Sequence, residues 1–318
     1  MLHLRVIAPV GERDAVLEVL GRHVGVTHVV VHRDAALDPP GDEITADIAR
    51  ESANDIVDEL KDLGLRRRGA ITLDAVDTVL STAAYRADKQ ADGDPGDAIV
   101  WEDLAARTRE ESTLNFTFLA FLCLACTIAA VGVVTNSPVT IVGAMVVGPE
   151  FGPLAALCVG IIRRRPAIVG RSLLALGVGF LIAVTVTALV TLALDAFGLV
   201  DKSMLLAPRP LTDFIWRPDA LSWVVGFLAG IAGMLSLTTS KSGALVGVLI
   251  SVTTVPAAAN VAVALAYGVP EEAAGSALQL SINVAAIVTA GLLTLVIQRL
   301  IPKLRRTGPK PSPTTMSP

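Results

Sequence analysis

The sequence predicts a membrane-embedded α-helical bundle preceded by a small soluble α+β domain of ferredoxin-like pattern. Three observations carry this. The 318 residues are 53% hydrophobic with a mean hydropathy of +0.62, yet 18% are charged. That is too apolar for a soluble protein and too charged for a bundle that is all membrane. The charge is also divided: up to Thr113 there are 13 Lys/Arg and 23 Asp/Glu, a net of −10, and from Leu114 onward 13 and 7, a net of +6. Finally, six apolar stretches follow Leu114, at about 114–135, 138–162, 170–194, 220–239, 243–268 and 274–300. Each is near the ~20 residues needed to cross a ~30 Å hydrocarbon core.

The front, 1–85, reads as β-α-β-β-α-β, the split pattern of ferredoxin-like domains. LHLRVIAP is the first strand, and GERDAVLEVLGRH is a helix with Val16, Leu17, Val19 and Leu20 as its apolar stripe. Strands VTHVVVHRDA and DEITADIA follow, joined through Asp38-Pro39-Pro40-Gly41. SANDIVDELKDLG is a helix capped by Ser52 or Asn54 and stopped at Gly64. RRRGAITLDAVDTV is the last strand, with Arg66, Arg67 and Arg68 at its solvated end. His23, His28 and His32 cluster near the second strand, and read better as surface side chains than as a metal site. The acidic balance argues against a nucleic-acid partner, and neither metal nor cofactor is expected. With no basic tip followed by an apolar helix at Met1, the front domain is expected in the cytosol.

Residues 86–113 comprise a polar linker and an amphipathic interfacial helix, IVWEDLAARTREES. Asp92, Asp94 and Asp97 in the linker lack the glutamate of a calcium loop. Residues 114–300 form the six-span domain, and the tail 301–318 is disordered by composition. Arg163, Arg164, Arg165 and Arg171 after span two, and Arg299, Lys303, Arg305, Arg306 and Lys310 after span six, set both termini in the cytoplasm. The loop 195–219 and Glu271-Glu272 then lie outside. Cys123, Cys126 and Cys158 all fall inside spans, where they serve as small packing residues.

The second span is the least ordinary. NSPVTIVGAMVVGPEFGPLAAL holds Gly148, Pro149, Gly152 and Pro153 around Glu150. Proline breaks a helix ladder, and an ionisable group within a span marks a candidate site. The fifth span carries Pro256. Placing Ser137 on Ser240 puts Pro153 on Pro256, so the two halves compare as a three-span unit repeated once and inverted, with broken helices at matching places.

The second span's Asn136-Ser137, Gly143-Ala144-Met145 and Pro149-x-x-Gly152-Pro153 resemble the bacterial membrane family called domain of unknown function 389, or the uncharacterised hydrophobic domain. Arg217-Pro218-Asp219, Gly230-Ile231-Ala232-Gly233, Ser242 to Val248 and Leu280 to Asn283 are also similar to it. The resemblance runs from about 114 to 300. It implies a bacterial inner-membrane protein with a soluble N-terminal extension, and no established activity. Two places depart from the family: Glu150 stands where an apolar residue is usual, and Thr253-Thr254-Val255-Pro256-Ala257 replaces a Leu-Pro-Pro element.

The polar residues inside spans are Asn136, Ser137, Glu150, Thr253, Thr254, Asn260, Gln279 and Asn283. Such groups must face one another, a cavity or a neighbouring subunit. Glu150 could bind a cation, relay a proton, pair with Lys241, or sit at a re-entrant tip that touches water. The leading expectation is a transporter or channel for a small ion or solute. Its site lies between spans two and five, drawn from Glu150, Asn136, Ser137, Thr254, Asn260 and Asn283. The rival is a membrane-anchored sensor or assembly protein whose front domain binds a ligand or partner. An enzyme is not expected, because HExxH, GxSxG and a membrane aspartate pair are absent and no histidine follows His32. The lipid bilayer is the expected partner, and six short spans suggest a homo-oligomer.

Overall fold

The computed structural model describes residues 1–76, 78–91, 98–239 and 253–306, and divides into two compact units, Met1–Leu104 and Ala105–Pro318.

The first unit is built on a four-stranded antiparallel sheet of order β2-β3-β1-β4. Its strands are β1 (Leu2–Pro9), β2 (Val26–Leu37), β3 (Pro40–Ile48) and β4 (Ala70–Ala75). Alternation decides the buried face. Leu2, Leu4, Val6 and Ala8 of β1 point inward, opposite Ile48, Ala46 and Ile44 of β3. Helices α1 (Arg13–Arg22) and α2 (Arg50–Asp62) cover that face with Val16, Val19 and Leu20 and with Ala53, Ile56 and Leu60.

Local chemistry shifts several boundaries from the sequence expectation. The N-cap of α2 is Ala49, not Ser52 or Asn54. Asn54 is engaged elsewhere, donating to the Ile99 carbonyl at 2.6 Å and accepting from the Trp101 N–H at 3.1 Å. Gly64 ends α2 as expected, with φ +79°, a conformation costly for any residue with a Cβ. It leads into a helical turn, α3 (Leu65–Arg68), so Arg66, Arg67 and Arg68 are helical and the last strand starts only at Ala70. Arg68 pairs with Glu12 and donates to the Leu63 carbonyl at 2.7 Å. Residues 82–90 are also helical rather than linker: α4 (Thr82–Gln90) starts where the Ser81 hydroxyl accepts from the Ala84 N–H. The calcium-like spacing of Asp92, Asp94 and Asp97 lies outside the described residues. Helix α5 (Trp101–Glu111) contains the division between the units.

The second unit is helical. Helix α6 (Phe116–Val134), capped by the Asn115 side chain, leads through a tight turn at Asn136 (φ +49°) into α7 (Pro138–Val147). A break at Gly148-Pro149-Glu150 follows, and α8 (Phe151–Ile162) continues at 50° to α7. Next come α9 (Pro166–Ala196), short α10 (Lys202–Leu206), a 3-10 turn (Asp213–Ile215) and α11 (Ala220–Thr238). After the undescribed stretch 240–252, α12 (Thr254–Ala266) and α13 (Pro270–Arg306) complete the unit. The hairpin at Ser240–Ser242, the Glu150–Lys241 pairing and the family-like Ser242 to Val248 fall in that stretch, and the tail from 307 is likewise outside the described residues.

Four helices, α6, α9, α11 and α13, are long and apolar enough to cross a membrane, or five spans if the bent pair α7–α8 counts as one. Many of their exposed residues are large and apolar, for example Phe121, Leu124, Leu181, Leu228 and Ile297. The two short helices differ. Every residue of α8 from Phe151 to Gly160 is buried, as are nearly all of α12 from Thr254 to Ala264. A helix that is apolar all round belongs in a core, and these two are the core of the unit. Each packs on the long helix that follows it and on the long helix of the other half: α12 lies against α13 and α9, and also α6, while α8 lies against α9 and α13. Helices α11 and α13 touch through small residues. At Gly230 an added Cβ would come within 2.8 Å of the Ala290 Cβ and 2.9 Å of the Ile287 backbone.

Candidate functional site

The break in the second span follows from three residues. The last α7 bond runs from the Gly148 N–H to the Ala144 carbonyl. Pro149 has no N–H to continue the ladder. Gly148 admits the close approach of Val255, whose Cγ2 would lie 2.8 Å from any Cβ built there. Pro153 and Gly152 do not break the helix. They occupy the first turn of α8, where proline's missing donor costs nothing. Pro256 takes the same third position in α12.

Glu150 occupies the position before α8 without a side-chain capping bond and is 2% exposed. Its Oε1 accepts from the Thr254 hydroxyl at 2.7 Å, and its Oε2 has no partner among the described residues. Thr254 opens α12, so two half-helices start at one place. Their unsatisfied N–H groups and positive dipole ends favour an anionic group there. The adjoining Thr253 Oγ1 accepts from Asn283 Nδ2 at 2.6 Å. Glu150, Thr254 and, through Thr253, Asn283 are thus brought together as the sequence suggests.

The other candidates fall elsewhere. Asn136 Oδ1 accepts from the Leu211 N–H at 3.2 Å and the Thr212 hydroxyl at 3.3 Å, tying the α6–α7 turn to the loop before α11. Ser137 caps α7 and bonds Thr140 at 2.9 Å. Both are structural. Asn260 belongs to a second buried cluster, donating to Glu272 Oε1 at 3.1 Å and Ser276 Oγ at 2.7 Å. Glu272 is also paired with Arg209, and all four are at most 5% exposed. The sequence reading missed Arg209, Glu272 and Ser276. For Glu272 and Ser276 a signal existed: with Gln279 and Asn283 they fall at spacings of four, three and four, one stripe of a helix. Arg209 carries no such signal, because an irregular loop delivers it.

The first unit has its own polar chain. Asp47 accepts from His3 Nδ1 at 2.9 Å and is 2.7 Å from His28 Nδ1, while His28 Nε2 is 2.8 Å from Ser81 Oγ. Burial pushes the Asp47 carboxyl up, but hydrogen bonds and charge from His3 and His28 outweigh it and hold it below the ordinary carboxylate range. The hydroxyl–imidazole–carboxylate order is that of a nucleophile triad, but the Ser81 oxygen is engaged as the cap of α4. His23 and His32 face Glu59 and Glu43. No group of three or more metal-ligating side chains occurs among the described residues.

Fold and site together define a protein with a membrane-compatible apolar bundle whose most buried charge sits where two short core helices begin. Residues 145–289 match the family model described as Domain of unknown function (DUF389), the family that the second span resembles. The matched stretch holds Glu150, Thr253, Thr254, Asn260, Glu272 and Asn283, whereas Asn136 and Ser137 precede it. No curated protein and no solved structure matches the chain.

Proposed function

We propose that the chain is a multi-pass plasma-membrane protein of bacterial type that moves a small ion or solute through a mid-membrane site, and is not an enzyme. One observation carries this reading: Glu150 is buried where the short helices α8 and α12 begin, with one carboxylate oxygen unpaired among the described residues. Holding a carboxylate at such a depth costs several kcal/mol by order of magnitude, so a purely structural role is poorly served by it. Half-helices that begin at the middle of a bilayer are the usual framework of transporter sites. The reciprocal packing of α8 and α12 supports an inverted 3+3 repeat. In that reading the fifth apolar stretch of the sequence, which contains α12, counts as a span and brings the number to six. The arginines of the α8–α9 turn then face the cytoplasm with both termini, and the loop before α11 faces outward. The β-α-β-β-α-β order and the sheet order support a ferredoxin-like front domain. Lipid is the partner, and a homo-oligomer fits the small size of the bundle.

Reconstitution in liposomes tests the reading, with cation, proton and anion fluxes measured for wild type and Glu150→Gln. Flux that the substitution abolishes is expected. Flux that ignores it removes Glu150 from the mechanism, and no flux under any gradient rejects transport. A second reading, a sensor whose front domain takes a ligand, is favoured by an open recess of about 240 Å³ lined by Arg13, Arg33, Asp34 and Asp42.

A further inference from the structure

We propose that the buried polar stripe of α13 is a proton path joining Glu150 to the end of the helical unit closed by Arg209. It rests on the reading of Glu150 as a mid-membrane site and names the species that site exchanges.

Glu272, Ser276, Gln279 and Asn283 are 5%, 0%, 1% and 2% exposed, and all are polar. Their spacing places them on one face of α13, over about 16 Å at 1.5 Å per residue. That is about half of a ~30 Å hydrocarbon core. The facing side chains on or just before α12 are also polar: Asn260 bonds Glu272 and Ser276 at one end, and Thr253 bonds Asn283 at the other. From Thr253 the line passes to its neighbour Thr254 and so to Glu150. An apolar face would pack this helix at less cost, since buried polar groups must each be satisfied.

They are not all satisfied by protein. Among the described residues, Glu150 Oε2, Gln279 Oε1 and Asn260 Oδ1 are buried acceptors without a partner, and Arg209 Nε and Nη1 are buried donors without one. All five lie along this one line. Such groups are met by bound water, which typically makes about three hydrogen bonds in a polar site. Hydroxyls, amides and single waters can pass a proton by exchanging hydrogen bonds. Side chains packed this closely suit a proton better than a hydrated ion or an organic solute.

The ends are chemically distinct. At one, Arg209 pairs with Glu272, and its loop is anchored by Asn136 through Leu211 and Thr212. The pair is formally neutral, so this end presents no uncompensated carboxylate to hold a metal cation. At the other, Thr254 occupies Oε1 and leaves Oε2 of Glu150 to accept it. Cys126 of α6 is the titratable neighbour that also faces Glu150. The net step moves one proton from the aqueous face to the Glu150 carboxylate, and no other bond changes.

Infrared spectroscopy of the full-length protein in bilayers tests the path. The carbonyl band of protonated Glu150 is the one that Glu150→Gln removes, and its shift on transfer to D2O gives the exchange rate without any turnover. Gln279→Leu and Ser276→Ala should each slow that exchange about tenfold or more, the scale of losing one buried hydrogen-bonding group. Thr289→Ala, off the stripe on the same helix, should leave the rate alone, and Gln279→Asn should restore it. Ser276→Ala is the small change that keeps the test valid should Gln279→Leu not fold. Equal rates in wild type, Gln279→Leu and Ser276→Ala overturn the path, as does the absence of any band lost in Glu150→Gln. Stripe-dependent exchange without ion flux would instead leave the path standing and reject transport.

Discussion

At the scale of single residues, a carboxylate in each unit is held by basic partners, one at a sheet surface and one buried. Asp47 lies among imidazoles at the surface of a sheet, and its folded form favours the charged state. A carboxyl held below its unfolded value contributes stability that is complete above the ordinary carboxylate range. That contribution is lost as the pH falls through the lowered folded value. The protection of first-unit amides from hydrogen exchange in the full-length protein, taken relative to the intrinsic rate at each pH, should therefore fall as the pH drops below that range, and Asp47→Asn should remove this step. Arg209 and Glu272 are the buried counterpart. Breaking the pair from one side strands a charge, so Arg209→Met should cost about 3–5 kcal/mol, whereas Arg209→Met with Glu272→Met together should cost much less. Denaturation in detergent, followed by tryptophan fluorescence, distinguishes the two. These residues also show where sequence reading ends. Glu150 and Pro149 stand out because proline and a lone charge break local rules of an apolar helix. Arg209 looks like any loop arginine until the fold delivers it to Glu272.

At the scale of elements, the stop at Gly64 and the break at Gly148-Pro149 were legible, and the exceptions have local causes. Asn115, Ser137 and Asp219 cap their helices, and the structure rather than the sequence reading identifies them. Asn54 fails as a cap because its side chain serves the 99–101 segment. The arginine run 66–68 reads as a strand end, yet the left-handed Gly64 turns it into a helical one. Helix α13 hid its polar stripe because Glu272 reads as part of a loop, although it lies in the first turn of the helix. Among the glycines, environment rather than identity sets the cost of substitution. Gly230→Val should separate α11 from α13 and lower stability by several kcal/mol, since an added side chain meets the Ile287 backbone. Gly143 meets nothing within 4 Å, so Gly143→Ala should be neutral or stabilise by up to about 1 kcal/mol. Thermal melts of both variants in one detergent provide the comparison.

At the scale of the whole molecule, the division into an acidic front and an apolar, basic-flanked remainder was plain from charge and hydropathy alone. The division into outer helices and a two-helix core was not, because periodicity reports how a segment is faced and not which neighbour faces it. The proposed threading makes a direct prediction. Cysteines introduced as Arg164→Cys and Ser203→Cys should react with an impermeant reagent from opposite sides of a sealed vesicle, and labelling from one side alone contradicts the threading. The crossed packing of the short helices also fixes an order in time. Helix α8 is made early, but α13, one of its packing partners, is made more than 100 residues later. Until then a 12-residue helix with a carboxylate at its head lacks part of its cover. The bundle therefore cannot mature span by span. A chain interrupted after α11 is an exposed intermediate for the quality-control proteases, and α8 is covered only once α13 has docked.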